Sequence, residues 1–146
     1  MSNKSVGTEF EQKFAGVLAE CWFWVHLFQQ NKSGQPCDVI ACRDGNTYLF
    51  DCKDCETGIF RLSRIEENQY NAMKLFDLTG NGKGMFAIRF PERGVYLVEY
   101  DRMKELQDAG FKQINATVCR TQGITLREWL DSFGERDDNN ADHHWE

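Results

Sequence analysis

The chain has 146 residues, of which 41% are hydrophobic and 27% charged, a balance typical of one globular domain with its own core. No apolar run approaches the roughly 20 residues that a membrane-spanning helix needs, and the polar first residues lack the apolar segment of a secretory signal. We therefore expect a cytoplasmic protein whose six cysteines are reduced thiols rather than a disulfide framework.

The formal net charge of −6 is unfavourable for a nucleic-acid partner, because phosphate binding relies on Lys and Arg. The charge is unevenly distributed, however. The segment Gly134–Glu146 carries five acidic groups against the single Arg136, so the rest of the chain is close to neutral. We predict a single domain over residues 1–133 followed by an acidic, disordered tail. The charge total does not exclude DNA.

The first predicted element is an amphipathic helix over Glu9–Glu20, whose apolar residues recur on one helical face. Thr8 is the expected N-cap, and Glu11 stands three residues later, as in a capping box. The aromatic and β-branched run Trp22–Gln29 predicts a strand, and the polar run Gln30–Gln35 predicts a loop.

Two short strands follow, at Asp38–Arg43 and Thr47–Lys53. They are joined by Asp44-Gly45-Asn46, and an Asp-Gly pair between apolar runs is a strong hairpin signal. The sequence therefore predicts a β-hairpin in the middle of the domain.

The second half alternates helices and strands. Helices are predicted over Ser63–Asp77, Arg102–Ala109 and Leu126–Phe133, and strands over Met85–Phe90 and Val95–Tyr100. The order helix, three strands, helix, two strands, helices predicts an α/β sandwich with a mixed central sheet flanked by helices.

Three charged residues interrupt the apolar strands of the predicted hairpin: Asp38, Asp51 and Lys53. Side chains alternate along a strand, so Asp51 and Lys53 share a face, and Asp38 lies beside Asp51 if the hairpin pairs across Gly45. Two close carboxylates repel each other, and a hard divalent cation relieves that repulsion. A neighbouring ammonium can position water and stabilise charge on a phosphate. The set therefore predicts a divalent metal site that acts on a phosphate group.

At these residues the sequence resembles the PD-(D/E)xK nuclease superfamily, with Gln-Pro-Cys-Asp38 followed by Asp51-x-Lys53. Gly7-x-x-x-Glu11 resembles the acidic site that these nucleases bring from the N-terminal helix. Phe60-x-Leu62-x-x-Ile65-x-x-x-Gln69 resembles the RecU-type Holliday junction resolvases, where a helix glutamine lies beside the site. The resemblance implies a restriction-endonuclease-like fold over nearly the whole domain.

The resemblance further implies an endonuclease that uses Mg²⁺ or Mn²⁺ to hydrolyse a DNA phosphodiester and leaves a 5′-phosphate. RecU-type resolvases act as homodimers, with one site for each cut strand of a four-way junction. The implied metal ligands are Asp38, Asp51 and Glu11, and the catalytic set adds Lys53 and Gln69. Outside this set, the candidate DNA phosphate contacts are Arg61, Arg64 and Lys83.

Two other functions stay open. Family resolvases carry a long insertion before the hairpin, a stalk that enters the junction, whereas here only Gln30–Gln35 precedes Pro36. A nicking or restriction-type nuclease acting on duplex or single-stranded DNA is therefore an alternative. A non-catalytic module that reuses the nuclease fold as a binding protein or inhibitor is a second one. Asp51 stands where glutamate is commoner, which the superfamily motif tolerates.

Each candidate also has a structural explanation. Glu11 is explained equally by the capping box with Thr8. Asp51 and Lys53 can form a surface pair on an edge strand, and the cationic candidates can be ordinary surface charges. A zinc site built from Cys52-x-x-Cys55 with Cys37 and Cys42 has poor ligand spacing, so we expect these cysteines to be packing residues.

Overall fold

The computed structural model describes residues 3–29 and 34–134, with side chains from residue 9 onward. Most of the predicted loop before Pro36 and all but the first residue of the predicted tail lie outside this part of the chain. Within it, no helix is long and apolar enough to cross a membrane.

Five α-helices, one 3-10 helix at Leu62–Arg64 and eight strands form the described part of the chain. The helices are α1 Asn3–Glu20, α2 Glu67–Leu78, α3 Tyr100–Asp108, α4 Ala116–Gln122 and α5 Leu126–Asp131. The strands are β1 Trp24–Leu27, β2 Val39–Arg43, β3 Asn46–Asp54, β4 Ile59–Arg61, β5 Met85–Phe90, β6 Gly94–Glu99, β7 Gln113–Asn115 and β8 Ile124–Thr125.

Six strands form one sheet in the order β1-β2-β3-β5-β6-β8. The central pair β3–β5 is parallel and every other neighbouring pair is antiparallel, so the sheet is mixed. The short strands β4 and β7 pair separately as an antiparallel ribbon. This architecture confirms the predicted α/β sandwich.

The β2–β3 hairpin follows from its turn residues. Arg43 pairs with Asn46, which leaves Asp44 and Gly45 as a two-residue turn. Both turn residues have positive φ, 53° and 81°, and this is the conformation that a type I′ turn requires. The register that the turn sets places Val39 opposite Phe50.

Separate apolar cores cover the two faces of the sheet. On one face, α1 and α5 pack against strand residues that include Val39, Phe50 and Cys52. On the other, α2, α3 and α4 pack against residues that include Phe86 and Ile88. Phe86 pairs with Asp51 and Ile88 with Lys53 in the register of β3 and β5. The two charged residues therefore belong to the face that carries α2.

The structure differs from the sequence predictions mainly at element boundaries. Helix α1 begins at Asn3, so Thr8 lies inside the helix and the predicted capping box with Glu11 is wrong. The strand predicted from Trp22 begins at Trp24, because Trp22 has φ 69° and ends the turn after α1. Four short elements were not predicted: β4, β7, α4 and β8.

The cysteines agree with the packing interpretation. Cys52 belongs to the core on the α1 face and Cys55 to the core on the α2 face, so the two thiols cannot share one metal ion. Burial raises the pKa of the Cys52 thiol well above its ordinary value, and nearby Asp38 and Asp51 raise it further. The Cys52 thiol therefore stays protonated at neutral pH.

Candidate active site

The site begins where the hairpin strands separate. Asp38, just before β2, donates its backbone N–H to the Phe50 carbonyl at 3.0 Å. The next N–H along β3 on this side belongs to Cys52, and it donates to Asp38 Oδ2 at 2.7 Å. A carboxylate thus takes the place of a backbone acceptor at the point where β2 no longer pairs with β3. Gln35 Nε2 donates to Asp38 Oδ1 at 3.0 Å and fixes the second oxygen.

Asp51 lies at this opening and is 0% exposed. Lys53, two residues along β3, places its Nζ 3.2 Å from Asp51 Oδ1, as strand alternation predicts. Both Asp51 oxygens are buried and lack a well-formed hydrogen bond within the described residues, and their polar neighbours are the Lys53 ammonium and the Asp38 carboxyl. A carboxyl group withdrawn from water with a single cationic neighbour is electrostatically unsatisfied.

Glu11 comes to the same place from helix α1. Its side chain is 8% exposed, and it interacts electrostatically with Asp38 and Lys53. The pKa of Glu11 is raised to about 7, mainly by burial and also by the Asp38 carboxylate, and the Lys53 ammonium opposes both effects. A carboxyl group that titrates near neutrality is in a suitable range to exchange a proton for a cation.

Burial has the same effect on Asp51. It raises the pKa of this carboxyl from 3.8 to about 8, Lys53 lowers it, and Asp38 raises it. Without a cation, Asp51 is therefore largely protonated at neutral pH. Asp38 acts electrostatically on both Glu11 and Asp51, and a bound divalent ion would relieve the repulsion between these carboxylates once they are ionised.

Gln69, in the first turn of α2, holds the lysine from the other side. Its Oε1 accepts from Lys53 Nζ at 3.2 Å and from the backbone N–H of Glu66 at 3.2 Å. One amide oxygen therefore connects the ammonium to the N-terminus of α2. The structure thus brings together Glu11, Asp38, Asp51, Lys53 and Gln69, the whole catalytic set predicted from sequence.

These residues also suit a divalent metal. Among the described residues, no group of three His, Cys, Asp or Glu side chains is arranged to hold a metal ion. Asp38 interacts electrostatically with Asp51 and with Glu11, so this part of the chain offers carboxyl donors in pairs rather than as a complete metal site. Mg²⁺ is commonly held in this way, by one or two carboxylates with the remaining positions filled by water and substrate phosphate.

Comparison with known proteins places this geometry in a family. The family model described as Recombination protein U matches residues 27–131, which include the hairpin, Gln69 and α5. The chain belongs to the Recombination protein U family. No curated protein sequence matches the chain significantly. The structure is similar to the 1.6 Å structure of Hjc, a Holliday junction resolvase from the archaeal hyperthermophile Archaeoglobus fulgidus. The TM-score is 0.67 at 15% identity, and the match covers 85% of this chain and 99% of that one.

The RecU-family match and the shared fold confirm the resemblance and the restriction-endonuclease-like architecture proposed from sequence. The matched region begins at Leu27 and so excludes Glu11 and the rest of α1. The position of Glu11 beside Asp38 therefore rests on the structure of this chain alone.

The predicted DNA contacts separate into two groups. Arg64 donates from Nη1 to the carbonyl of Asp54, at the end of the strand that carries Lys53, at 3.2 Å. Arg61 is exposed on β4, which belongs to the separate β4–β7 ribbon. Lys83 lies before β5, three residues upstream of the partner of Asp51, and it forms an ion pair with Asp101. The structure does not bring Lys83 to the site.

The sequence prediction missed two supports of this RecU-family site. Gln35 was assigned to a loop, although its place in Gln-Pro-Cys-Asp38 puts it within reach of the Asp38 carboxylate. Arg89 forms a two-point ion pair with Asp54 at 2.9 and 2.5 Å and lies over the Phe10 ring. Arg89 and Asp54 lie 35 positions apart in the chain, and no local sequence pattern indicates that they pair.

Proposed function

We propose that this RecU-family chain is a metal-dependent endonuclease that hydrolyses phosphodiester bonds in branched DNA. The observation that carries the proposal is the wholly buried Asp51 carboxyl, which lies against Asp38 and has Lys53 as its cationic neighbour. Burying two interacting acidic groups is costly, so a site of this kind is retained for what it binds rather than for stability.

Asp38, Asp51 and Glu11 would hold Mg²⁺ or Mn²⁺. When bound, the ion would act as a Lewis acid that polarises a phosphoryl oxygen and makes water a better nucleophile. The chain itself orients this set. The backbone N–H of Cys52 and the amide of Gln35 fix the Asp38 carboxylate, and the strand geometry fixes Asp51.

Lys53 is the group that would contact the reacting phosphate. Its ammonium has three N–H donors, of which one faces Asp51 and one is accepted by Gln69. The third donor is available for an oxygen of the substrate or for the attacking water. Gln69 is a positioning residue, because it acts through the lysine. The partly exposed ammonium stabilises the charge that develops on the phosphate as the P–O bond breaks.

Family membership and the likeness to a junction resolvase fold support a branched substrate. Cutting two symmetric strands requires two sites, so we include a homodimer in the proposal. Residues 28–38 are the whole connection between β1 and β2, where the RecU-type resolvases carry a stalk. This short connection favours the second candidate, a nuclease that cuts duplex or single-stranded DNA.

The test is cleavage of labelled four-way junction, duplex and single-stranded DNA with Mg²⁺ or with EDTA. We expect paired cuts in the junction that need the metal and fall by at least about a hundredfold in Asp51→Asn. Asp131→Asn is the matched control, because Asp131 is exposed on α5 at the opposite face of the sheet. It should cleave like the wild type.

Each other outcome has a defined meaning. Metal-dependent cleavage of duplex or single strands without junction preference keeps the nuclease and discards the resolvase. Cleavage that persists in Asp51→Asn overturns the assigned site. DNA binding or protein binding without cleavage in either metal supports the non-catalytic module. Light scattering on the same preparation tests the dimer.

A further inference from the structure

A second feature of the molecule lies beside the proposed active site, between the β4–β7 ribbon and α3. It is a surface cleft of about 520 Å³. Arg61 comes from β4 and Lys112 immediately precedes β7, Lys104 and Gln107 come from α3, and Phe111 lies between α3 and β7 in the chain. Phe111 is 45% exposed, so the cleft offers an apolar ring together with its polar groups.

The cleft is basic in an acidic protein. Three of its lining side chains are cationic, two are amides, and none of the residues that line it is acidic. Lys104 forms an ion pair with Asp108 at 3.3 Å, so its charge is partly compensated. Arg61 and Lys112 are exposed, and the described ion pairs include neither of them. With a formal net charge of −6 on the chain, such a concentration of donors selects anions locally.

Hydrogen bonds join the cleft to the active site through one short segment. On the cleft side, Leu62 donates its N–H to the Lys112 carbonyl at 3.0 Å and accepts from Gln107 at 3.0 Å. On the site side, Arg64 donates to the Asp54 carbonyl next to Lys53. The 3-10 turn Leu62–Arg64 thus fixes the cleft rigidly relative to β3.

We propose that this cleft binds the phosphate backbone of the DNA arm that flanks the scissile bond, with Arg61 and Lys112 as the principal contacts. The inference rests on the proposed nuclease function and adds to it a surface for the part of the DNA outside the cleaved bond. Arg64 lies between the two sites and continues the row of cations. Phosphate contacts of this kind fix orientation and register without reading sequence.

The test measures binding without catalysis. Fluorescence anisotropy in EDTA gives the Kd for a labelled four-way junction across a series of salt concentrations. We compare the wild type with Arg61→Gln/Lys112→Gln and with Arg127→Gln, whose exposed arginine lies on α5 at the opposite face. The double variant should bind roughly tenfold or more weakly. Its plot of log K against log salt should be less steep than that of the wild type by about 1.8, since two phosphate contacts are lost. Arg127→Gln should bind like the wild type, and Lys112→Arg should retain the slope.

Arm length distinguishes a backbone contact from general charge. Shortening the junction arms from about two helical turns to about half a turn should weaken the wild type and leave the double variant unchanged. An equal loss with long and short arms, or an unchanged slope in the double variant, overturns the cleft proposal, whether or not the protein cleaves DNA. A wild type that binds no DNA overturns the cleft and the nuclease together. Thermal unfolding of each variant verifies that both replacements, at exposed side chains, leave the fold intact.

Discussion

The buried environment of Asp51 departs far from the aqueous environment that a carboxyl group prefers. Its folded-state pKa of about 8 lies above the ordinary 3.8, so between these values the metal-free folded protein holds a proton that the unfolded chain has released. The stability from this proton is fully present below about pH 4 and is lost as the pH rises towards 8. Glu11, raised from 4.5 to about 7, contributes with the same sign.

We therefore expect the Tm of the metal-free protein to fall between pH 5 and pH 8, on top of the effects of its surface groups. The asparagine of Asp51→Asn cannot ionise, so this variant should lose less stability over the range. Mg²⁺ should raise the Tm of the wild type more at pH 8 than at pH 6, because protons compete for the same carboxylates. Thermal unfolding with EDTA or Mg²⁺ measures each effect.

Asp131→Asn again serves as the control and should follow the wild-type pH profile. The contrary result is a metal-free Tm that rises over this pH range, by the same amount in the wild type and in Asp51→Asn. Asp51 would then be ionised in the folded state without a metal, and the argument that its buried charge requires a cation would fail.

A second prediction for a single residue concerns Gln69. Gln69→Ala removes the acceptor that holds Lys53 and one hydrogen bond at the start of α2. We expect kcat for DNA cleavage to fall about tenfold with little change in KM, because the residue orients a group used in the transition state. Unfolding should be easier by about 1 kcal/mol through the lost cap.

The control separates stability from positioning. Thr125 caps α5 by accepting from the Glu128 N–H at 3.1 Å, far from the site, so Thr125→Ala should cost a similar ~1 kcal/mol and leave kcat unchanged. A parallel fall in kcat for both variants would show that reduced stability alone accounts for the effect of Gln69→Ala.

Among the elements, the hairpin was predictable and the β4–β7 ribbon was not. The Asp44-Gly45 turn acts locally, because both residues adopt positive φ and so set the register that brings Asp38 beside Asp51. The three-residue strands β4 and β7 lie more than 50 residues apart and have no alternating pattern long enough to identify. Their pairing depends on the core around Phe60 and Ile114, which only the folded chain forms.

The features of the candidate site likewise include some that the sequence predicts and some that it does not. Asp38, Asp51 and Lys53 could be predicted because charges interrupt apolar strands, and Glu11 and Gln69 because the family resemblance extends to their helices. The electrostatic contact of Glu11 with Asp38 could not be predicted, since it depends on how α1 crosses the sheet. Lys83 was predicted as a DNA phosphate contact, and its ion pair with Asp101 of α3 depends on a long-range contact that no local pattern indicates.

Gly123 provides a prediction about how elements pack. A Cβ at this position would lie 2.1 Å from the backbone carbonyl oxygen of Leu97 on β6, where neither atom can move freely. Gly123→Ala should therefore force β8 away from β6 and destabilise the fold by about 2–3 kcal/mol. Urea unfolding measures the change.

Gly16 is the matched control. It lies on the exposed face of α1, and a Cβ there would meet no atom within 4 Å. Gly16→Ala should stabilise the protein by roughly 0.5–1 kcal/mol, because alanine loses less backbone entropy in a helix. If the two substitutions change stability in the same direction, close packing of β8 against β6 is not the determining factor.

Over the whole molecule, the site is assembled from separate parts of the chain. α1 brings Glu11, the hairpin brings Asp38, Asp51 and Lys53, and α2 brings Gln69. These contacts form only when helices on both faces of the sheet are docked. We therefore expect the metal response and the folded state to be lost together in a single unfolding transition.

The distribution of charge over the whole chain yields the last prediction. Residues 135–146 hold five acidic groups and one arginine, so they account for four of the six net negative charges. Removing them should tighten DNA binding a few-fold at roughly 0.1 M salt, where charges act over about 10 Å, and the gain should shrink as salt screens the repulsion. The matched control keeps the length and replaces the acids by amides: Glu135→Gln, Asp137→Asn, Asp138→Asn, Asp142→Asn and Glu146→Gln. Equal gains from both changes identify charge as the cause, whereas a gain from truncation alone would mean that the segment blocks DNA by its bulk.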